Sequence, residues 1–334
     1  MVVFDMPTVR PMVYRFLFCT LLWAAETSSA PDAVTAASRR STQMLPPVSG
    51  GTTDTLIVGD SEIHLFIEGR PFELPHEALQ DWVHRSAEIV GEYYGEFPVP
   101  EAHVAIRGRQ GPRVMNGTAF GNAGAVVNVD VGLLATPETL ANDWILIHEL
   151  IHLAFPSLRR QHHWMEEGLS VYVESIARAR SGSLSEDTVW AGFLDGMPNG
   201  LPRAGDKGLD HTRTWGRTYW GGALFCLIAD IRIREQTDRQ KTLRDALRGI
   251  VTAGYDITKS ADIRAVLQIG DQATGVNVLL ELYDEMRAAP LPKEIDSLWA
   301  DLGVAQQAGR IIYDDDAPLA DIRRALTQRY GHVL

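Results

Sequence analysis

The segment from residue 144 to residue 155 carries the residue types of a metal-dependent hydrolase. It reads WILIHELIHLAF, in which His148 and His152 are four positions apart and Glu149 follows the first histidine directly. On a helix this spacing places both imidazoles on one face, one turn apart, so that both rings can reach one metal ion. Glu149 can hydrogen-bond a water at that ion without being a ligand. The pattern therefore predicts zinc-dependent hydrolysis by a metal-activated water, with Glu149 as general base.

The neighbours of these residues favour a buried helix. Apolar side chains flank the motif on nearly every side: Trp144, Ile145, Leu146, Ile147, Leu150, Ile151 and Leu153. Two histidines and a glutamate are costly to bury unless something pairs them, and a bound Zn2+ would do so. The short motif leaves one alternative open, in which two core histidines bond to the backbone and Glu149 forms an ion pair.

A catalytic zinc ion needs a third protein ligand and an open position. His162 and His163 are candidates, but they follow Pro156 and a basic turn. Glu167, in the segment WMEEGLSVYVE, follows His152 after a stretch long enough for a turn and a returning helix. Glu167 is therefore the better candidate for the third ligand.

Glu174 lies on the same predicted helix as Glu167, nearly two turns further along and hence on the same side. Carboxylates in such positions commonly accept the ring N–H of a metal-binding histidine. We therefore predict that Glu174 supports one of the ligand histidines. A solvated surface carboxylate is the alternative.

The organisation of the chain changes near residue 136. Residues 54–135 contain short strand-like runs, with a hairpin signal at Gly59-Asp60, a strand near residue 103 and glycine-rich alternating strands in 114–131. From Pro137 onward the pattern is helical, and Thr136 is placed to cap the first helix. Helices are predicted at about 75–94, 163–180, 215–236, 241–251, 260–268, 275–287 and 318–329.

The two motifs together resemble those of the gluzincin zinc metallopeptidases of the peptidase MA-like superfamily. HELIH followed by WMEEGLSVYVE is similar to the zinc aminopeptidases, most of all to their glycyl aminopeptidase branch, over residues 115–235. Their ligand helix reads W-x-x-E-G with the ligand before the glycine, which implies Glu167 and not Glu166. RTYWGGAL resembles the segment with their catalytic tyrosine, which implies that Tyr219 donates to the oxyanion. Gly221 replaces the usual lysine of that segment.

The resemblance also implies the architecture. We expect an α+β, thermolysin-like fold in which a strand-containing N-terminal lobe (54–135) and a helical lobe (136–334) surround a zinc cleft as one catalytic unit. Zinc aminopeptidases carry a glycine-rich strand whose glutamate grips the free amine of the substrate, but here that region reads GTAFGNAGAVVNVD, without a glutamate. An edge strand around residues 121–129 could still pair with a peptide backbone. Aminopeptidase and endopeptidase activity both stay open, with Glu166 as the nearest candidate for an amine anchor.

The N-terminus has the features of an export signal. Arg10 and Arg15 precede an apolar run at 16–25, and small residues follow before Pro31. Because the run is about half the length of a spanning helix, it predicts a secretory signal peptide at 1–30, with an N-terminal helix or an uncleaved anchor as the alternatives. Residues 31–53 are predicted to be a flexible linker. We expect an extracytoplasmic protein, secreted or periplasmic, without stable membrane insertion after signal removal.

The composition and net charge limit the classes of binding partner that we expect. The chain has 334 residues with 45% hydrophobic and 22% charged content, which is typical of a globular protein, and its net charge of -12 argues against nucleic acid as a partner. We expect a peptide or protein substrate.

Cys19 lies in the predicted signal peptide, so its removal leaves Cys226 without a partner for an internal disulfide. The apolar surroundings of Cys226 predict a buried thiol. An inactive zinc- or peptide-binding module and a zinc hydrolase of non-peptide substrates are the alternative functions.

Overall fold

A five-stranded mixed sheet forms the N-terminal part of the computed structural model, which describes residues 50–289 and 295–331. The predicted signal peptide and most of the predicted linker lie outside the described residues. The first strand begins at Thr52, within the range predicted for the linker.

The strands are β1 (Thr52–Val58), β2 (Ser61–Ile67), β3 (Glu101–Arg109), β4 (Val114–Phe120) and β5 (Ala125–Gly132). They lie in the order β1-β2-β3-β5-β4. β1 and β2 form the predicted hairpin, with Gly59 in the left-handed conformation at its turn. β3 is parallel to both β2 and β5, whereas β4 pairs with β5 in the antiparallel direction. This pairing leaves β4 at one edge of the sheet.

Helix α1 (His76–Tyr94) connects the parallel strands β2 and β3, as a crossover between parallel strands requires. Its buried face includes Leu79, Trp82 and Val83, and it ends at Gly95, whose φ of 96° is in the left-handed region. The helix contacts both the sheet and the helical part of the protein. It therefore belongs to the core that joins the two parts.

Helices dominate the chain after residue 136. They are α2 (Pro137–Ala141), α3 (Ile145–His152), α4 (His163–Ser181), α5 (Glu186–Gly196), α6 (Gly222–Gln236), α7 (Leu243–Thr252), α8 (Ile263–Thr274), α9 (Val278–Met286), α10 (Ile295–Leu302) and α11 (Ala320–Thr327). Thr136 caps α2 with a capping box and Pro137 opens the helix, as predicted. Every helix in the described residues is too short or too polar to cross a membrane.

The α+β prediction is confirmed, with an N-terminal sheet followed by a helical part. Three details differ. A small hairpin of β6 (Val304–Gln307) and β7 (Arg310–Tyr313) lies between α10 and α11, and neither α5 nor α10 had a predicted counterpart. The predicted helix 215–236 is divided into a π-helical turn (Arg217–Gly221) and α6.

Two glycines set the distance between α4 and α6. A Cβ atom on Gly168 would lie 2.2 Å from the Cα atom of Gly222, so neither position has room for a side chain. α4 also contacts α3, and α3 contacts β4. Close contact of these elements brings side chains from α3, α4 and the π-helical turn to one place.

Candidate active site

The start of α3 is fixed by a buried aspartate. The N–H groups of Ile145 and Leu146 donate to the two carboxylate oxygens of Asp143, at 3.1 and 3.0 Å. Such bonds satisfy backbone donors that the first turn of a helix leaves without partners. Burial raises the pKa of Asp143 to about 6, against the lowering effect of the two hydrogen bonds. Asp143 therefore stabilises the start of α3, although burial disfavours its charged form.

α3 and α4 bring the three predicted ligands together. His148 and His152 lie on one face of α3, with their ring centroids 5.0 Å apart. The Oε2 atom of Glu167, from α4, is 3.2 Å from Nε2 of His148 and 3.7 Å from Nε2 of His152. One donor atom from each residue lies within 4.8 Å of the others. Two imidazole nitrogens and one carboxylate oxygen are a donor set that suits zinc.

The charges in this cluster stabilise one another. Burial alone would lower the pKa of His152, but its hydrogen bond to Glu167 and the nearby carboxylates raise it above its ordinary value. Burial alone would raise the pKa of Glu167, but hydrogen bonds to His148, His152 and His163 hold it far below its usual range. A divalent cation could replace the imidazole protons as partner of the carboxylate, so the residues fit a bound metal.

Glu149 lies between the ligand cluster and strand β4. A Cβ atom on Gly117 would be 2.3 Å from Cγ of Glu149, so the strand can lie against the glutamate only because residue 117 has no side chain. The N–H of Ala119 donates to the Glu149 carboxylate. Burial raises the pKa of Glu149, although the two histidines lower it. A more basic carboxylate is better suited to accept a proton near neutral pH.

The edge strand next to Glu149 is β4, and the prediction that residues 121–129 form the edge is wrong. β5 starts at Ala125 and lies between β3 and β4, where Val127 and Val129 are buried. The alternation of these valines indicated a strand but not its place in the sheet. Gly117 and Ala119 of β4 both contact Glu149, so the strand at this edge of the sheet lies beside the candidate site.

Tyr219 reaches the ligand cluster from the π-helical turn. Burial, the negative charges of Glu167 and Glu149, and a hydrogen bond to Glu167 all raise its pKa. The Trp215 ring stacks on the tyrosine, with centroids 6.3 Å apart. π-helical turns recur at functional sites because they re-aim a side chain within a helix. The structure thus brings Tyr219 to the site from the segment that the resemblance indicated.

The position of the missing lysine is filled by other groups. A Cβ atom on Gly221 would meet Cδ2 of Leu209 at 2.9 Å and the guanidinium of Arg217 at 3.4 Å. Arg217 is buried, forms a 2.9 Å ion pair with Asp206 and donates to the carbonyl of Gly200. The buried arginine therefore ties the π-helical turn to the preceding loop.

Glu174 has partners other than a ligand histidine. Arg178 donates to one of its carboxylate oxygens at 2.6 Å, and Ser175 donates to the other at 3.0 Å. Within the described residues, Nδ1 of His148 is buried without a hydrogen-bond partner. The predicted hydrogen bond between Glu174 and a ligand histidine is therefore not seen among the described residues, where Arg178, one turn further along α4, and Ser175 bind the carboxylate.

The two histidines weighed as alternative ligands have different surroundings. His162 lies in a buried polar cluster, with its Nδ1 atom 3.0 Å from Asp210, which also accepts from Trp164 and Tyr283. His163 instead lies beside the ligand cluster, where its Nε2 atom is 3.1 Å from the second oxygen of Glu167.

Glu166, the candidate amine anchor, is engaged with its own neighbours. It accepts from the N–H of Leu158 at 2.8 Å and pairs with His163 at 2.9 Å. Sequence reasoning missed the parts played by Gly117 and His163. The spacing of His163 before two glutamates was a visible signal, whereas nothing local marked Gly117.

Comparisons with known proteins give a fold but no sequence relative. No protein-family model and no curated protein matches the chain. The fold is similar to that of an aminopeptidase N family protein from Idiomarina loihiensis, at 16% identity and a TM-score of 0.56, over 77% of this chain and 50% of that one. An M1 zinc metallopeptidase from Deinococcus radiodurans also matches, at 17% identity and a TM-score of 0.48, over 73% of this chain and 52% of that one.

The chain thus spans about half the length of these two structural neighbours. The fold argument rests on the Idiomarina protein, whose TM-score is the higher of the two. The resemblance to gluzincin zinc metallopeptidases, predicted from the two motifs, is confirmed at the level of the fold.

Proposed function

We propose that this protein is a zinc-dependent peptidase of the gluzincin type, in which His148, His152 and Glu167 bind the metal and Glu149 is the general base. The observation that carries the proposal is the convergence of two imidazole nitrogens and one carboxylate oxygen within 4.8 Å of one another. The fold shared with an aminopeptidase N family protein supports the same conclusion.

The residues around the metal site divide the chemistry between them. A zinc ion bound here would supply a water of lowered pKa and would polarise the scissile carbonyl. Glu149 takes a proton from the attacking water and gives it to the amine nitrogen as the C–N bond breaks. Tyr219 hydrogen-bonds the carbonyl oxygen as negative charge develops on it. A phenol is protonated at neutral pH, and the raised pKa of Tyr219 favours the protonated, donating form further.

Metal analysis and hydrolysis of a mixed peptide library by the purified protein test this proposal. We expect about one zinc per chain, activity that a chelator removes, and loss of most of the zinc in His148→Ala, His152→Ala and Glu167→Ala. His103→Ala is the matched control, because its half-exposed ring pairs with Glu101 on the sheet. Full zinc content in Glu167→Ala, with loss in His163→Ala, would show that the ligand assignment is wrong.

Glu149→Gln separates binding from catalysis. The amide keeps the shape of the side chain and leaves the three ligands in place, so zinc content should persist while hydrolysis falls by about 10²- to 10⁴-fold. Wild-type activity in this variant would exclude Glu149 as the base. Zinc binding without hydrolysis of any peptide by the wild type would instead favour a binding module or a hydrolase of non-peptide substrates.

The substrate is proposed to lie along the free edge of β4. An extended peptide can add to a sheet edge through backbone hydrogen bonds, with side-chain pockets adding selectivity. Both carboxylate oxygens of Glu166 already have partners, which argues against its use as an anchor for a free amine. We therefore favour cleavage that tolerates blocked N-termini.

Matched peptides with free and acetylated N-termini decide between the two modes of cleavage. Comparable kcat/KM values for the two forms are expected, both in the wild type and in Glu166→Gln. Strict dependence on the free amine that Glu166→Gln abolishes would make Glu166 the anchor and the protein an aminopeptidase.

Export is part of the proposal and rests on the sequence of residues 10–31. We expect an extracytoplasmic mature protein that begins near residue 31. N-terminal sequencing of the protein from a secreting host tests it, since an intact N-terminus in the cytoplasmic fraction contradicts it. Cys226 is buried in α6, as its apolar surroundings predict.

A further inference from the structure

The two carboxylate oxygens of Glu167 have different partners. Oε2 faces His148 and His152, at 3.2 and 3.7 Å. Oε1 lies 3.1 Å from Nε2 of His163, which is not one of the three converging ligands. The side chain of Glu167 is 12% exposed, so a partner for its second oxygen replaces water that burial has largely removed.

The ring of His163 is itself held from its other side. Its Nδ1 atom is 2.9 Å from Oε2 of Glu166, and Oε1 of Glu166 accepts the N–H of Leu158 at 2.8 Å. His163 is the first residue of α4, so the two glutamates follow it by three and four residues, where helical side chains meet. The result is a chain of contacts from the backbone at Leu158 to the ligand carboxylate.

This chain fixes which oxygen of Glu167 is available to a metal. A donor at Oε1 opposes bidentate binding and leaves Oε2, the atom that already faces both histidines. Groups that hydrogen-bond a metal ligand orient it, and their loss commonly costs about 10- to 100-fold in metal affinity. A half-exposed ion pair without such a role contributes little to protein stability, and its loss would not be expected to change metal affinity.

We propose that His163, oriented by Glu166, is a positioning residue that holds Glu167 as a single-oxygen ligand of the metal. This inference rests on the proposed metal site and adds a contact that the resemblance does not supply. Its effect is on metal affinity, and it does not require that His163 touch the metal or the substrate.

Zinc affinity measured against a chromophoric chelator, with the purified full chain, tests the proposal. His163→Ala should weaken zinc binding about 10- to 100-fold. His163→Gln should recover part of the loss because its amide can donate to Oε1, and Glu166→Gln should cause a smaller loss. His103→Ala, which removes a half-exposed histidine that pairs with Glu101 on the sheet, should bind zinc as the wild type does.

Glu167→Ala is the reference for loss of a ligand, and it also provides the double-mutant test. Because His163 acts through Glu167, adding His163→Ala to Glu167→Ala should cause no further loss of affinity. The absorption spectrum of the Co2+-loaded protein should change in His163→Ala if the coordination by Glu167 changes. Circular dichroism and thermal unfolding of each metal-free variant control for misfolding.

Two results would overturn the inference while leaving the proposed function in place. Wild-type zinc affinity in His163→Ala would remove any positioning role, and a loss equal to that of Glu167→Ala would make His163 a ligand. A wild-type protein that binds no zinc would instead overturn the proposed function itself.

Discussion

A substitution at Gly117 should impair catalysis without altering the proposed base or the candidate metal ligands. In Gly117→Ala the added Cβ would lie 2.3 Å from Cγ of Glu149, 2.7 Å from its Oε1 and 2.8 Å from its Cδ. The backbone at residue 117 is outside the left-handed region, so alanine can adopt its conformation. The substitution therefore acts by displacing the side chain of Glu149.

The size of the effect follows from these distances. Non-bonded carbon atoms approach to about 3.5–4.0 Å, so the glutamate must retreat by more than an ångström. A misplacement of this size can cost about 100-fold in rate, which corresponds to about 2.7 kcal/mol in the transition state. Overpacking lowers the free energy of unfolding by about 1–3 kcal/mol. Alanine offsets about 0.4–1 kcal/mol of this loss, because it gives the unfolded chain less conformational entropy than glycine does.

The assay compares kcat/KM, zinc content and the urea unfolding midpoint in wild type and Gly117→Ala. Activity should fall about 100-fold while zinc content stays near one per chain. Gly192→Ala in α5 is the matched control, because a Cβ atom there meets no atom within 4 Å. It should leave activity unchanged and stabilise the helix by up to about 1 kcal/mol.

Two outcomes would refute this reasoning about Gly117. One is wild-type activity in Gly117→Ala. The other is an additive loss when the substitution is combined with Glu149→Gln, since a change that acts through Glu149 has nothing further to remove.

Three other substitutions test separate parts of the site. In Gly222→Ala the new Cβ would lie 2.1 Å from the carbonyl oxygen of Trp164, so α4 and α6 must move apart. We therefore expect a lower urea unfolding midpoint together with weaker zinc binding. An unchanged midpoint would contradict this. Tyr219→Phe should keep its zinc but lose about 10²- to 10³-fold in kcat, and an unchanged kcat would exclude the tyrosine as oxyanion donor. The folded pKa of Asp143 is about 6, above the ordinary value of about 3.9, so protonation favours the folded state. This contribution is complete below pH 4 and is lost as pH rises through 6, by up to about 3 kcal/mol. Urea unfolding between pH 4 and 7 should show that loss in wild type and not in Asp143→Asn; parallel pH profiles would contradict it.

Local rules account for part of the predicted site, whereas the approach of Glu167 to the two histidines also depends on the packing of α4 against α3. His148 and His152 share a helix face by spacing alone, and the ligand helix that bears Glu167 follows after a short turn. The same rules could have corrected Glu174, because Arg178 is one turn further along the same helix and binds its carboxylate. The prediction for Glu174 considered only the ligand histidines as partners and overlooked the arginine on the same helix.

The place of a strand in its sheet could not be read from its own residues. β4 and β5 both alternate, yet β5 is interior and β4 is the edge, since β3 pairs with β5 across a large separation in sequence. The β6–β7 hairpin has only four residues in each strand, too few for alternation to stand out. Both features depend on pairing rather than on local pattern.

The candidate site shows why chemical residues alone do not define an active centre. Its candidate ligands and proposed base come from α3 and α4, but the distances between the elements depend on positions without side chains. Gly117 admits Glu149 beside β4, and Gly168 meets Gly222 where α4 crosses α6. A methyl group at any of these three positions would overlap an atom of the site or of the backbone that holds it. Because Gly117 touches the base and the helix glycines touch the framework, substitutions at the two places should separate a loss of catalysis from a loss of metal.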